Sequence, residues 1–183
     1  MNIYFDTEFT GLHKGTDLIS IGLIDENGRT FYAEFNDYDK NQVNGWIEEN
    51  VIKKLLFNDE VKFVKKSDNK NTTECKGNKK YIQKLLLEWL DDYQDVQFVS
   101  DVCHYDFVLL IDLLSFSALD LPKFICPVCI DINQFIARDY KITNQAAFYL
   151  SREQLAGVDH AEEKHNSLFD AKIIKAISEV LDF

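Results

Sequence analysis

Three runs rich in aromatic and β-branched residues open the chain, and they constrain its fold more than any other feature of the sequence. They cover residues 2–12, 18–25 and 29–35, and residues of these types favour β-strands. Glu26-Asn27-Gly28 separates the second run from the third, and asparagine and glycine tolerate the positive φ angles of a tight hairpin turn. The sequence therefore predicts an antiparallel meander of three strands.

Helical and strand patterns alternate after the meander. Apolar residues recur at helical spacing in 45–57, 81–93 and 106–116, again from about 133 and over 167–181, whereas 96–99 and 124–132 resemble strands. Ser151 is predicted to cap a further short helix. This order predicts an α/β or α+β fold, in which helices flank a mixed β-sheet.

Length and composition indicate one domain that covers residues 1–183. A chain of 183 residues with 46% hydrophobic content can bury one sizeable core. The N-terminus enters a strand at once, without the regions of a signal peptide, and no apolar stretch approaches the roughly 20 residues that span a bilayer. We therefore expect a cytoplasmic protein with no membrane partner.

The net charge of −11 repels phosphate groups at long range, so a polyanionic partner would need local positive charge. Residues 62–80 form the main basic segment, and they are polar and without periodicity, which predicts a loop. Such a loop can hold a nucleic-acid backbone or be a merely solvated insertion, and the second is favoured. Its lysines are Lys62, Lys65, Lys66, Lys70, Lys76, Lys79 and Lys80.

Cysteine spacing offers a weaker signal. Cys126 and Cys129 have the spacing of zinc ligands or of a redox pair, but the sequence has no second pair of this kind. Cys103 and His104 would have to complete a zinc site from elsewhere in the chain. Structural thiols are therefore favoured over zinc binding and over redox chemistry.

Two carboxylates in the first run predict a cation site. Asp6 and Glu8 are two residues apart on the predicted strand, so their side chains point to the same face. Neighbouring carboxylates repel each other, and a cation between them keeps both ionised near neutral pH. Mg²⁺ and Mn²⁺ are hard ions that bind oxygen ligands, and they fit this site.

Further candidate ligands occur later in the chain. Asp106 opens an apolar helix just after a strand, where active-site ligands of open sheets collect, and it is favoured over Asp101. His165 and Asp170 are five residues apart, so His165 is predicted to precede a helix whose first turn contains Asp170. The positive end of that helix also favours a carboxylate.

In these motifs the chain resembles the DEDDh exonucleases, a superfamily of 3'-to-5' exonucleases with a ribonuclease H-like fold. The first motif is matched by residues 6–12, the second by Tyr105-Asp106, and the third by His165 with Asp170. The second motif lacks the asparagine that is often found upstream. Residues 6–9 and 46–51 are further similar to compact bacterial and phage ribonuclease T-like exoribonucleases.

The resemblance implies a role for each residue. Asp6, Glu8, Asp106 and Asp170 would hold two divalent metal ions, and Asp6 would bridge them. His165 would be the general base, because a histidine can accept a proton from water at neutral pH. Residues that would contact the terminal sugar and base are Thr10, Gly11 and Leu12.

The implied activity is metal-dependent 3'-to-5' hydrolysis of single-stranded RNA, from a free 3'-hydroxyl to nucleoside 5'-monophosphates. The alternatives are the same chemistry on single-stranded DNA and a non-catalytic nucleic-acid-binding protein on this fold. A homodimer is left open. Trp46 is predicted to pack in the core rather than to stack on a base, His13 is left undecided, and His104 and His160 are given no role.

Overall fold

One mixed sheet organises the protein. The structure is a computed structural model that describes residues 1–58, 60–68, 71–115, 117–158 and 164–181. Within these residues the strands are β1 (Asn2–Phe9), β2 (Leu18–Asp25), β3 (Thr30–Phe35), β4 (Val64–Asp68), β5 (Thr72–Gly77), β6 (Gln97–Ser100) and β7 (Ile130–Asp131). Their order in the sheet is β4-β5-β3-β2-β1-β6-β7. Neighbours pair antiparallel in β1–β2, β2–β3 and β4–β5, and parallel in β3–β5, β1–β6 and β6–β7.

Helices cover both faces of the sheet. Those described are α1 (Gly45–Asn50), α2 (Lys79–Leu90), α3 (His104–Leu114), α4 (Ile132–Tyr140), α5 (Asn144–Phe148), α6 (Arg152–Ala156) and α7 (Ser167–Val180). Ile3 and Phe5 of β1 belong to the core beneath α2 and α3, whereas Tyr4 belongs to the core beneath α4 and α7. Side chains alternate along a strand, so the even-numbered residues of β1 face α7.

Helix α7 lies unusually close to the sheet at Gly22. A Cβ atom at Gly22 would lie 2.2 Å from the backbone nitrogen of Leu168, in the first turn of α7. Only glycine allows this approach. Gly22 is the register partner of Asp6, so this contact places the start of α7 over the strand that carries the first carboxylates.

The mixed sheet, the opening meander and its hairpin turn are confirmed. Gly28 has a φ of 88°, as the turn requires. Helices also occur where periodicity predicted them over much of 81–93, 106–116 and 167–181, and Ser151 caps α6 by accepting a hydrogen bond from the Gln154 backbone nitrogen.

The predicted loop at 62–80 is wrong, because β4 and β5 form an antiparallel hairpin at one edge of the sheet and the first residues of α2 follow. Four of the five β4 residues are exposed, and charged exposed residues are typical of edge strands, which they protect from pairing with other chains. Sequence reasoning missed strand β4 because Val64 is its only β-branched residue. Lys70 lies outside the described residues.

Other predicted bounds also need correction. Residues 124–132 are not one strand, because only Ile130–Asp131 pairs in the sheet and Ile125 makes an isolated bridge. The helix predicted at 45–57 ends at Asn50 and is followed by a 3₁₀ turn at Ile52–Lys54. Phe116 and His160 fall outside the described residues. In the part of the chain that is described, no helix is long and apolar enough to cross a membrane.

Candidate functional site

Four predicted carboxylates meet in one cavity of about 790 Å³ at the carboxyl end of β1. Asp6 and Glu8 come from the strand itself. Asp106 comes from the first turn of α3, and Asp170 from the first turn of α7. The end of β1 therefore brings together candidate ligands from both ends and from the middle of the chain.

Asp106 and Asp101 both line the cavity but have different partners. The backbone nitrogen and the hydroxyl of Thr7 both donate to Asp106 Oδ1, at 3.1 and 2.5 Å. Asp101 instead accepts hydrogen bonds from Arg152 at 2.5 and 3.0 Å. Because the charge of Asp101 is compensated by this arginine, Asp106 is the better candidate for a metal ligand.

His165 lies just before α7, as predicted, and its backbone is in the left-handed region with a φ of 67°. Its backbone nitrogen donates to Asp170 Oδ2 at 2.9 Å, and its Nδ1 lies 4.0 Å from Glu8 Oε1. Residues other than glycine rarely adopt this backbone conformation, so contacts around His165 must stabilise it. The Trp46 and His165 rings pack nearly perpendicular to each other, with centroids 5.1 Å apart.

Burial raises the pKa values of these carboxyl groups. The pKa of Asp6 lies well above its usual value because of burial and then because of Asp106, Asp170 and Glu8. Burial, aided by neighbouring carboxylates, raises the pKa of Glu8 to about 8. Burial also raises the pKa of Asp106 to about 6 and that of Asp170 to about 7. At neutral pH the cluster thus lacks the positive charge that would keep all its members ionised.

The donor set fits a divalent metal ion. One ligand atom from each of Glu8, His165 and Asp170 lies within 4.8 Å of the other two, and this is the single group of its kind among the described residues. Oxygen ligands that repel each other suit Mg²⁺ or Mn²⁺. The cysteines Cys103, Cys126 and Cys129 are partly buried free thiols that do not belong to this group.

Lysine side chains near the cluster were missed by sequence reasoning. Lys54 Nζ donates to the backbone oxygen of Lys164, across 110 residues of sequence. Its charge lowers the pKa values of both Glu8 and Asp170. Burial, with the charges of Lys54 and Lys164, lowers the pKa of His165. The imidazole is therefore neutral at neutral pH and able to accept a proton.

The three residues predicted to contact the substrate are placed differently. Gly11 and Leu12 line the cavity, and Leu12 is 75% exposed. Thr10 is 2% exposed and is not among the lining residues. Its hydroxyl donates to Gln42 Oε1 at 2.5 Å and accepts from the Asp17 backbone nitrogen at 3.0 Å, so it stabilises the turn after β1.

Aromatic residues complete the cavity. Trp46 is 56% exposed and lines it, so the prediction that Trp46 packs in the core is wrong. Ile47 and Val51 form the buried face of α1 instead, against Ile19 of β2. Phe148 and Tyr149, which the sequence did not single out, line another part of the cavity.

The lysine-rich hairpin lies at the opposite edge of the sheet from β7, and β3 and β2 separate it from β1. Several of its lysines have acidic partners. Lys76 is buried beside Glu34, and Lys65 Nζ lies 3.6 Å from Glu88. Lys79, at the start of α2, pairs with Asp112. A role for this segment in binding nucleic acid stays a prediction.

Two solved structures share the fold. A 3'-exonuclease, solved for its recognition of the 3' end of a histone mRNA stem-loop, has a TM-score of 0.62 and 15% identity. The alignment covers 99% of this chain and 63% of that one. The RNase domain of the yeast Pop2 protein has a TM-score of 0.59 and 17% identity, over 98% of this chain and 77% of that one. These similarities confirm the ribonuclease H-like fold.

Sequence comparison identifies the family. The 3'-5' exoribonuclease Rv2179c of Mycobacterium tuberculosis strain H37Rv is 36% identical over 55 residues, or 30% of this chain. The aligned stretch spans 33% of that relative's length. The model of the 3'-5' exoribonuclease Rv2179c-like domain matches residues 1–181. Because this match covers nearly the whole chain, the chain belongs to the Rv2179c-like 3'-5' exoribonuclease domain family.

Proposed function

We propose that this protein is a metal-dependent 3'-to-5' exoribonuclease that hydrolyses single-stranded RNA from a free 3'-hydroxyl to nucleoside 5'-monophosphates. The observation that carries the proposal is the meeting of Asp6, Glu8, Asp106, Asp170 and His165 in one cavity. Family membership supports the reaction class. Since strand β1 and helix α7 both contribute to the site, we also propose that residues 1–183 act as one catalytic domain.

The carboxylates are the proposed ligands of two Mg²⁺ or Mn²⁺ ions. Asp6 is the proposed shared ligand because it is central to the cluster, where Asp106, Asp170 and Glu8 all act on it. When bound, divalent ions supply Lewis-acid stabilisation of the phosphodiester oxygens. Binding also offsets the repulsion that raises the pKa values of the carboxyl groups.

His165 is the proposed general base. Its lowered pKa leaves the imidazole neutral, so one ring nitrogen can accept the proton of an attacking water. Asp170 fixes the backbone of His165 by accepting from its backbone nitrogen, and the Trp46 ring packs nearly perpendicular to the imidazole. A base that is fixed in this way loses little entropy when it meets the water.

Recognition of the 3' end is assigned to the turn after β1. Gly11 and Leu12 line the cavity beside Glu8, so a terminal nucleotide can contact the backbone of Gly11 and the exposed side chain of Leu12. Thr10 contributes by stabilising that turn through Gln42 and Asp17. A free 3'-hydroxyl would then lie close to the carboxylates.

Hydrolysis of labelled oligonucleotides tests the proposal. Purified protein with Mn²⁺ should shorten 5'-labelled RNA one nucleotide at a time, and a 3'-phosphate should block it. A matched DNA strand should be cut more slowly, because a 2'-hydroxyl adds a donor and an acceptor. Internal cleavage, or equal rates on the blocked strand, would overturn the exonuclease assignment, whereas faster cleavage of DNA would overturn only the choice of RNA.

A further inference from the structure

The cavity extends past the carboxylates to an aromatic pair at the end of helix α5, where Phe148 is the last helical residue and Tyr149 follows it. The two side chains are 52% and 74% exposed, and their rings are nearly perpendicular with centroids 5.1 Å apart. Exposed aromatic rings at the wall of a site offer faces on which bases can stack. The pair is continuous with the proposed catalytic cavity.

The aromatic pair and the 3'-end turn lie on opposite sides of β1. Trp46, which lines the cavity with Leu12, belongs to α1, and α1 packs on Ile19 of the neighbouring strand β2. The aromatic pair lies on the other side, where Arg152 bonds to the residues that flank the pair and to Asp101. Asp101 follows β6, which is the other neighbour of β1. A strand whose 3' end occupies the first side would therefore pass the carboxylates and then meet the aromatic pair.

Arg152 ties the aromatic pair to the sheet. Its Nη1 donates to the backbone oxygens of Ala147 and Leu150, both at 3.0 Å, and these residues flank the pair. Its Nε and Nη2 donate to Asp101, and Nη2 also donates to Asn133 Oδ1. A guanidinium group has five N–H donors, and these contacts use all five.

This saturation decides what the far side of the cavity can bind. Arg152 also lines the cavity, and an arginine in a nuclease site would ordinarily be taken for a phosphate ligand. Here its charge is compensated by Asp101, and its donors are engaged within the protein. Arg152 therefore has no spare donor for a phosphate, whereas the exposed aromatic faces can stack on any base.

We propose that Phe148 and Tyr149 stack on bases of the single-stranded substrate upstream of the scissile phosphate, and that Arg152 is a positioning residue for them. This inference rests on the proposed function, because it takes the direction of the strand from the 3' end. On this proposal, the affinity for longer strands comes from base stacking rather than from charge. Stacking does not require positive charge, and this protein has a net charge of −11.

Kinetics on short and long RNA test this proposal. The Phe148→Ala/Tyr149→Ala variant should raise KM for a ten-nucleotide RNA roughly 10-fold to 100-fold, since stacking is worth that much per base, and should change KM for a dinucleotide far less. The salt dependence of KM should stay as in the wild type. Tyr140→Ala is the matched control, because Tyr140 is 48% exposed on α4 and is not among the cavity-lining residues.

Arg152→Lys tests the positioning role. Lysine keeps the positive charge beside Asp101 but cannot make five hydrogen bonds, so KM for the ten-nucleotide RNA should rise with little change in kcat. Abasic sites upstream of the 3' end should weaken binding to the wild type and have no further effect on the double variant. A merely structural role would not produce this loss of sensitivity to the base.

Fluorescence anisotropy separates this proposal from the proposed function. The probe is a 5'-fluorescein ten-nucleotide RNA, and its Kd is measured with Ca²⁺ in place of Mn²⁺. Weaker binding by the double variant supports stacking, even if the wild type hydrolyses nothing. Equal Kd values for the wild type and the double variant, or a KM increase that is the same for the dinucleotide, would overturn it.

Discussion

Two glutamates on one face of the sheet have opposite surroundings. Glu8 of β1 is in register with Ser20 of β2, Ser20 with Glu34 of β3, and Glu34 with Lys76 of β5. Between the two glutamates, Ser20 Oγ lies 3.0 Å from Ser167 Oγ at the start of α7. A single row across the sheet therefore contains both carboxylates.

Glu34 has its partners within the protein. Its Oε1 accepts from the Tyr32 hydroxyl at 3.0 Å and from the backbone nitrogens of Leu56 and Phe57 at 2.5 and 3.1 Å. Lys76 Nζ lies 3.5 Å from its Oε2, and both side chains are buried. Burial raises the pKa of Glu34 as well, but its hydrogen bonds and Lys76 oppose the rise. At Glu8, burial raises the pKa and the neighbouring Asp170 and Asp106 raise it further.

This contrast separates a carboxylate that is paired within the protein from one that we propose to be functional. A buried charge is costly unless it is paired and hydrogen-bonded. The fold supplies a lysine and hydrogen-bond donors at Glu34, whereas at Glu8 we propose that a bound cation supplies the opposite charge. The comparison predicts that substitutions in the first region reduce stability, whereas substitutions in the second reduce activity.

The largest expected effect is the loss of activity in Asp6→Ala. Removing the shared ligand should reduce hydrolysis of RNA to background, because both proposed metal sites depend on it. Stability should stay the same or rise, since a repelling charge is removed. Turnover at saturating Mn²⁺ and a urea titration measure the two effects; wild-type turnover would contradict the assignment of Asp6.

His165→Ala should lower kcat by roughly 10² to 10⁴, the usual contribution of a general base. Binding of Mn²⁺ should persist, because the carboxylates remain. Calorimetry with Mn²⁺ beside a turnover assay separates these outcomes. If metal affinity disappears together with activity, His165 is a ligand instead, as its place near Glu8 and Asp170 would allow.

Lys76→Met should destabilise the protein by about 3–5 kcal/mol, because it leaves Glu34 buried and without its counter-charge. Lys80→Met is the control, because Lys80 lies only four residues further along the chain and is exposed. Urea denaturation measures both variants. Equal stability of the two variants would show that Lys76 does not stabilise the buried Glu34, and would contradict the structural role of that carboxylate.

The pH dependence of stability should disappear when metal is added. The pKa of Glu8 is raised from 4.5 to about 8 in the folded protein, so the unfolded chain binds fewer protons in that range. Stability of the metal-free protein should therefore fall as the pH rises from 4.5 to 8. Mg²⁺ binds the ionised cluster and should cancel this fall. Thermal scans in EDTA and in Mg²⁺ test the prediction, and parallel curves would contradict it.

The smallest effect is expected from the lysine-rich segment. Replacing Lys65, Lys66, Lys79 and Lys80 by glutamine should raise KM for long strands slightly and flatten its salt dependence, with kcat nearly unchanged. The effect should be modest because Lys65 and Lys79 already have acidic partners. Unchanged salt dependence would mean that the segment has no part in binding.

The proximity of the candidate residues could be predicted where they are close in the chain. Asp6 and Glu8 are alternate residues of one strand, so their spacing indicates a shared face. The five-residue spacing of His165 and Asp170 indicates that they bracket the start of one helix. Asp106 was harder because only its position after a strand distinguished it from Asp101. The hydrogen bond between Asp101 and Arg152, which favours Asp106 as the candidate ligand, joins residues 51 positions apart.

The remaining parts depend on contacts that no local pattern encodes. Lys54 reaches the cluster only because α1 packs on β2 and carries the following turn to Lys164. Trp46 lies next to an apolar stripe, and only the docked helix shows which side of that stripe is buried. The hairpin of β4 and β5 has the charged composition of an edge strand, which resembles that of a loop.

Gly22 shows that a residue with no side chain can set the dimensions of an active site. It pairs with Asp6 across the sheet and supports the first turn of α7, the turn that carries Asp170. Any Cβ atom there would have to push against the Leu168 backbone, 2.2 Å away. The spacing between the two elements that carry the proposed ligands thus depends on the absence of a Cβ atom at Gly22. A single added methyl group would widen that spacing and should disturb the proposed active site without altering any of its side chains.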